Sequence, residues 1–156
     1  MSAAAIQDLY PGDYAHCFGC GRLNEHGHRI KTHWIDGEGV ARFTPQAHEV
    51  SLPGYVYGGL IASLVDCHAI ATAAADAAER AGTPFVADAL PRYVTGSLKV
   101  DFKKPTPIGV ELELRARVRE ASERKALVEV TVRAGDVVTA TGEVVAVRMP
   151  ETMRRS

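Results

Sequence analysis

Between Gly54 and Gly82 the chain reads GYVYGGLIASLVDCHAIATAAADAAERAG. From Gly58 to Ala81 its composition is that of a helix. Alanine, leucine and isoleucine dominate, and Gly82 followed by Pro84 supplies a stop. At about 1.5 Å of rise per residue such a helix spans roughly 36 Å. Up to Ala75 it has almost no polar face, so it is expected to be wrapped on most sides rather than laid on a surface. Only Asp76, Glu79 and Arg80 in its last turns read as wet.

One residue breaks the pattern. Asp66 is the first charge in the stretch, and the next, Asp76, comes ten positions later. With about 100° per residue, the helical face nearest Asp66 holds Gly59, Ala62, Ser63, Ala69, Ile70, Ala73 and Ala77. No lysine or arginine stands three or four residues away to pair with it. Burying an unpaired carboxylate costs several kcal/mol or raises its pKa. Asp66 therefore needs hydrogen-bond donors, a partner from elsewhere in the chain, or a chemical task. One reading is a buried aspartate tied to hydroxyl or backbone donors; the other is a general base or nucleophile in a slot lined by small residues. Gly58 and Gly59, about two turns earlier, favour the second. Backbone N–H groups in the first turn of a helix have no intrahelical acceptor, and without a Cβ they can approach and polarise a carbonyl oxygen.

The rest of the chain supplies strands. HRIKTHWID (28–36) and GVARFTP (39–45) read as a hairpin turning at Asp36-Gly37. After the helix, Leu98, Val100 and Phe102 alternate with Lys99, Asp101 and Lys103. Val110, Leu112, Leu114, Ala116 and Val118 alternate with Glu111, Glu113, Arg115, Arg117 and Arg119. Leu127–Arg133 and Val137–Arg148 continue the period of two. Four serial strands with one apolar face each, plus the hairpin, predict an α+β domain. About six antiparallel strands would curl around one buried helix.

With 156 residues, 46% apolar and 24% charged, the chain is read as a single domain, with a loop-rich segment over 1–27 and a short tail over 149–156. A net charge of −1 gives no basic field for nucleic acid or an anionic membrane. Asp66, Cys67 and His68 interrupt the apolar run and argue against a membrane span. The opening MSAAAIQDLYPGDY shows no basic n-region or apolar h-region, and three cysteines do not make a disulfide framework. A reducing cytoplasm is the expected setting.

Three separated motifs, CFGCGRLNEHG, PGYVYGGLIASLVDC and VTGSLKVDFKKPTPIG, occur in an order that resembles the hotdog-fold acyl-CoA thioesterases of the PaaI-like group. The resemblance runs from about Cys17 to Val147. It implies a long helix wrapped by a curved sheet, and a dimer joined edge to edge with its active sites at the interface, often paired again into a tetramer. It implies acyl-CoA or a related thioester as substrate, without a cofactor or metal. On it, Asp66 falls on the catalytic acid, and Gly58 on the glycine whose N–H polarises the thioester carbonyl. Thr95 falls on a Ser/Thr that positions water or the acid and is contributed by the partner chain. Ser51 lies where certain relatives carry an asparagine involved in water activation. Gly59 completes the Gly-Gly pair. The motif is usually HGG; here Tyr57 stands in the histidine position, able to donate an O–H but not to act as a neutral-pH acid or base. A hotdog hydratase or dehydratase, and a non-catalytic acyl-ligand binder, are the alternative functions. The hydratase reading is disfavoured because no histidine lies on the Asp66 face.

Other residues carry two readings each. Cys17 and Cys20 form a C-x-x-C near His16, His26 and His28, which raises zinc. There is no second such pair and Cys67 lies inside the helix, which argues against a metal; similar CFGCG openings in the family the chain resembles imply a loop packing over the site. His68, roughly 200° around the helix from Asp66, is expected in the core or at an interface. His48, with Glu49, either lines the pocket or belongs to a solvated loop. Lys99, Lys103 and Lys104 either meet CoA phosphates or simply wet a strand.

Overall fold

The computed structural model describes residues 4–154, so 1–3 and 155–156 of the expected loop segment and tail lie outside the described residues. Two 3-10 turns, Ile6–Leu9 and Gly12–Tyr14, lead to β1 (His33–Ile35) and β2 (Glu38–Phe43), and α1 (Gly58–Ala81) follows. Then come β3 (Tyr93–Phe102), β4 (Leu112–Ala121), β5 (Lys125–Ala134) and β6 (Val137–Arg148). The six strands form one antiparallel sheet in the order β1-β2-β4-β5-β6-β3.

Local chemistry fixes the ends of the elements. The β1–β2 hairpin turns through Asp36 and Gly37, both at positive φ (50° and 78°), the geometry of a type I′ turn. Helix α1 occupies the range its composition predicts. It ends where Gly82 adopts φ 68°, with the Gly82 N–H on Glu79 O (3.1 Å) and the Thr83 N–H on Ala78 O (2.8 Å). That is the paired arrangement of a Schellman cap. Strand β1 is shorter than its sequence suggests: it starts at His33, and Arg29, at φ 55°, lies outside any extended run.

The sheet curls over α1. Leu64 and Val65 are fully buried against the inner face of the sheet, where Leu114, Val128 and Val144 are fully buried too. Each such side chain contributes roughly 1.5–3 kcal/mol of burial. Further along the helix, Ala71, Ala75 and Ala78 receive Ile6, Tyr10 and Trp34. By length and composition α1 could cross a membrane, but here it is the buried core of the wrapped sheet.

Buried polar groups are linked in a chain. Gln7 Nε2 donates to Thr32 Oγ1 (2.9 Å), which meets His68 Nδ1 (2.8 Å), while His68 Nε2 lies 3.1 Å from Gly39 O. A carbonyl only accepts, so Nε2 carries the proton and Nδ1 accepts from the Thr32 hydroxyl. His68 is fully buried, as expected for a core histidine, and burial pulls its pKa down to about 4.

Helix α1 is wrapped on most sides, as expected, and Ala62, Ser63, Asp66 and Ile70 form one partly exposed stripe along the remaining face. One feature departs from the sequence expectation. Leu98 and Phe102, expected to face the helix, are 40% and 56% exposed. Their strand, β3, lies at the sheet edge and pairs only with β6. Alternation shows which residues share a face; strand order determines whether anything covers it.

Candidate functional site

Helix α1 puts Asp66 on the open stripe, and β3 carries Thr95 to it. Thr95 Oγ1 donates to Asp66 Oδ1 at 2.5 Å. Thr95 sits beside the bulge between Thr95 and Ser97, where the β3–β6 register shifts. The resemblance implies that the partner chain contributes Thr95, but this hydrogen bond forms within one chain because β3 returns alongside its own helix. Asp66 is half-buried. Burial pushes its carboxyl above the ordinary value; the Thr95 hydroxyl opposes this and the Cys17 charge adds to it. The cleft here holds about 230 Å³ and is also lined by Tyr10, Cys17, Cys20, Cys67 and Arg92.

At the start of α1 the N–H groups of Gly58 and Gly59 have no hydrogen-bond partner among the described residues, and Tyr57 provides no side-chain cap. Gly58 borders a cleft of about 460 Å³ with Ser51, Tyr55, Phe102, Lys103 and Lys104. The Ser51 hydroxyl bonds locally to Val56 O at 3.4 Å. Lys99 lies away from this cleft, its Nζ 3.7 Å from Asp101. Gly59 borders a different cleft, of about 610 Å³, with Tyr57, Ser63, His28, His48 and Glu49. The Tyr57 ring is exposed and folds over Gly59, where an added Cβ would stand 2.5 Å from the ring. His48 is exposed, 3.8 Å from Glu49 Oε1, and that oxygen is 4.0 Å from His28 Nδ1. Glu49, not His48, is the enclosed member of the pair, and its Oε2 is buried without a hydrogen bond.

The seven residues singled out from the sequence thus divide among three clefts of one chain. Asp66 and Thr95 share the first, Gly58 and Ser51 the second, and Tyr57, Gly59 and His48 the third.

Sequence spacing misses a cluster. Cys17, Cys20 and Cys67 come together with their sulfurs all within 4.8 Å of one another, and Cys17 Sγ is 3.8 Å from Cys67 Sγ. The sequence argues against a metal because Cys67 lies inside a helix. It does, but on the flank that the N-terminal loop covers. Hydrogen bonds from Cys20 and Cys67 pull the Cys17 thiol far below its usual range. Contact with Cys17, together with burial, raises Cys67 and pushes Cys20 up to about 12, the Cys67 contact opposing the rise in Cys20. The Arg92 guanidinium lies 3.8 Å from the Tyr10 ring centre and 4.9 Å from that of Tyr14, with Nε and Nη1 buried and unbonded.

Comparison with known proteins follows the same lines. The family model for the thioesterase superfamily matches residues 53–141. A thioesterase superfamily protein from Shewanella loihica is 38% identical, with a TM-score of 0.66 over 88% of this chain and 97% of that one. A point mutant of the phenylacetic acid degradation protein PaaI from Thermus thermophilus is 25% identical, with a TM-score of 0.59 over 77% and 93%. The PaaI protein of Escherichia coli, 18% identical with a TM-score of 0.65 over 79% and 81%, shares the fold. A search among curated proteins finds no match. The helix wrapped by a six-stranded antiparallel sheet is the hotdog fold, and the chain belongs to the thioesterase superfamily.

Proposed function

We propose that the protein hydrolyses an acyl-CoA or related acyl thioester, as a homodimer or a tetramer built from two such dimers, in the reducing cytoplasm. The observation that carries the reading is Asp66, half-buried on an open apolar stripe and gripped by the Thr95 hydroxyl. In this mechanism the thioester oxygen accepts a hydrogen bond from the Gly58 N–H, which stabilises the oxyanion as it forms. The Asp66 carboxylate either takes a proton from water as that water attacks the carbonyl carbon, or attacks the carbon itself. In the first route the C–S bond breaks and the thiolate leaves with the proton that Asp66 took. In the second the C–S bond breaks to leave an acyl–Asp66 anhydride, which water hydrolyses to the free acid and the restored carboxylate while a proton from that water goes to the thiolate. Thr95 fixes the carboxylate. Tyr57 and Gly59, with Ser51 and His48 in the loops before them, line the approach of the acyl group. Lys103 and Lys104, on the Gly58 cleft, suit the phosphates of CoA.

Simple geometry supports the dimer. Gly58 and Asp66 are eight residues apart, or about 12 Å along one helix, too far to act on one carbonyl. Two antiparallel helices crossing at Ala62, the midpoint of that interval, would bring Gly58 of each chain opposite Asp66 of the other. Ala62 and Ser63 are small and half-exposed, which suits a close crossing. The uncovered edge of β3, with Leu98 and Phe102 exposed, suits the edge-to-edge joint.

The test is thiol release across short, long and aromatic acyl-CoAs. Turnover is expected, and Asp66→Asn should fold and keep its oligomeric state while losing about 100-fold or more in kcat. Unchanged turnover in Asp66→Asn overturns the assignment. Binding without turnover across the whole panel makes the protein an acyl-ligand binder instead.

A further inference from the structure

The CFGCG segment (17–21) is left unused by thioester hydrolysis, yet the fold holds it in one specific place. The Gly21 N–H closes the turn on Cys17 O at 2.7 Å, and the His28 and Ile30 N–H groups fasten Phe18 O and Gly19 O at 2.9 and 3.2 Å. This turn is pressed so tightly onto α1 that a Cβ on Gly19 would stand 2.4 Å from Cys67 Sγ. Only glycine allows the loop to deliver its two thiols to the third.

We propose that Cys17, Cys20 and Cys67 form a three-thiolate site for a zinc-class divalent cation, with its fourth vertex open to the Asp66 cleft. Tetrahedral coordination at a Zn–S distance of about 2.3 Å requires sulfurs about 3.8 Å apart. Cys17 and Cys67 stand at 3.8 Å, and the third sulfur lies within 4.8 Å of both. Three thiolates on a divalent cation leave one negative charge, and Arg92, with Nε and Nη1 unbonded, lines the same cleft as a compensating cation. No fourth histidine, cysteine or carboxylate completes the cluster among the described residues. Three protein ligands with one vertex left to water or a small ligand is the arrangement of an open site. The proposal does not depend on hydrolysis at Asp66.

The test is metal content of the purified full-length protein, followed by titration of the reduced, demetallated protein with Co²⁺ and Zn²⁺. One metal per chain is expected, with the intense near-ultraviolet sulfur-to-cobalt charge-transfer absorption and the visible bands of a tetrahedral thiolate site. Cys17→Ser and Cys67→Ser should each raise the Kd about 100-fold or more. Circular dichroism would establish that the variants fold, and the wild-type cobalt spectrum stands as a readout independent of them. Wild-type protein without a charge-transfer band, a band that survives both substitutions, or a Cys17–Cys67 disulfide in place of a metal each overturns the proposal.

Discussion

Asp66 and His68 lie two positions apart on α1 and face opposite environments. Asp66 looks onto the open stripe; His68 is sealed between Thr32 and Gly39, with no other titratable group among its hydrogen-bond partners. Replacing Thr95 by valine removes the only side-chain donor to Asp66 among the described residues while keeping β-branching on the strand. We expect Thr95→Val to lower kcat about tenfold with little change in KM, since the acid loses its orientation but the acyl pocket is intact. Steady-state kinetics read this directly, and an unchanged kcat removes Thr95 from the mechanism. For His68 the sign follows from burial. Its folded pKa, about 4, lies below the ordinary value of 6.5, so the neutral ring stabilises the fold above about pH 6.5. That stability, up to about 3 kcal/mol, is lost as pH falls from 6.5 toward 4. Urea unfolding at a series of pH values should show the loss, and His68→Gln should flatten the slope over that window. Both residues were legible in the sequence, one as a charge without a partner and the other by its angle around the helix. Cys67 was not, because the neighbour that gives it meaning arrives from fifty residues upstream.

At the scale of elements, α1 was legible to its last residue because propensity, apolar content and the stop signal agree. The cap tests this cleanly. A Cβ at Gly82 would meet nothing within 4 Å, so Gly82→Ala carries only the conformational penalty of φ 68°. We expect a loss of about 1 kcal/mol, a fall in Tm of about 3 °C for a domain of this size. Gly82→Asn should cost less, because asparagine tolerates the left-handed region. Equal melting temperatures for the three proteins would mean that the cap contributes nothing. Strand β3 shows where local reading stops. Its alternation is as regular as that of β5, yet one of the two strands is interior and the other an edge. Period-two patterning is a property of one strand, whereas neighbours are assigned by topology, and the long connections on either side of β3 leave its place open.

For the molecule as a whole, the decisive question is which Gly58 works with which Asp66. Tyr57 is extended at φ −61° and ψ 128°, a conformation that accepts a following proline. Gly58→Pro therefore deletes the proposed oxyanion N–H, while proline at the first helical position is tolerated. Asp66→Ala deletes the acid. Each variant alone should form dimers with almost no turnover. If a site is built from Gly58 of one chain and Asp66 of its partner, mixing the variants places both defects in one site of the heterodimer and leaves the other site intact. After subunit exchange at equal concentrations half of the dimers are mixed, so activity should recover to about a quarter of the wild-type value per chain. If each site is instead built within one chain, no intact site arises and the mixture stays as inactive as its components. The same samples with Ala62→Arg added to both variants should remain dead in either case, because two like charges would meet where the helices cross and the dimer would not assemble. Recovery that survives Ala62→Arg would relocate the crossing, and with it the alignment of Gly58 against Asp66.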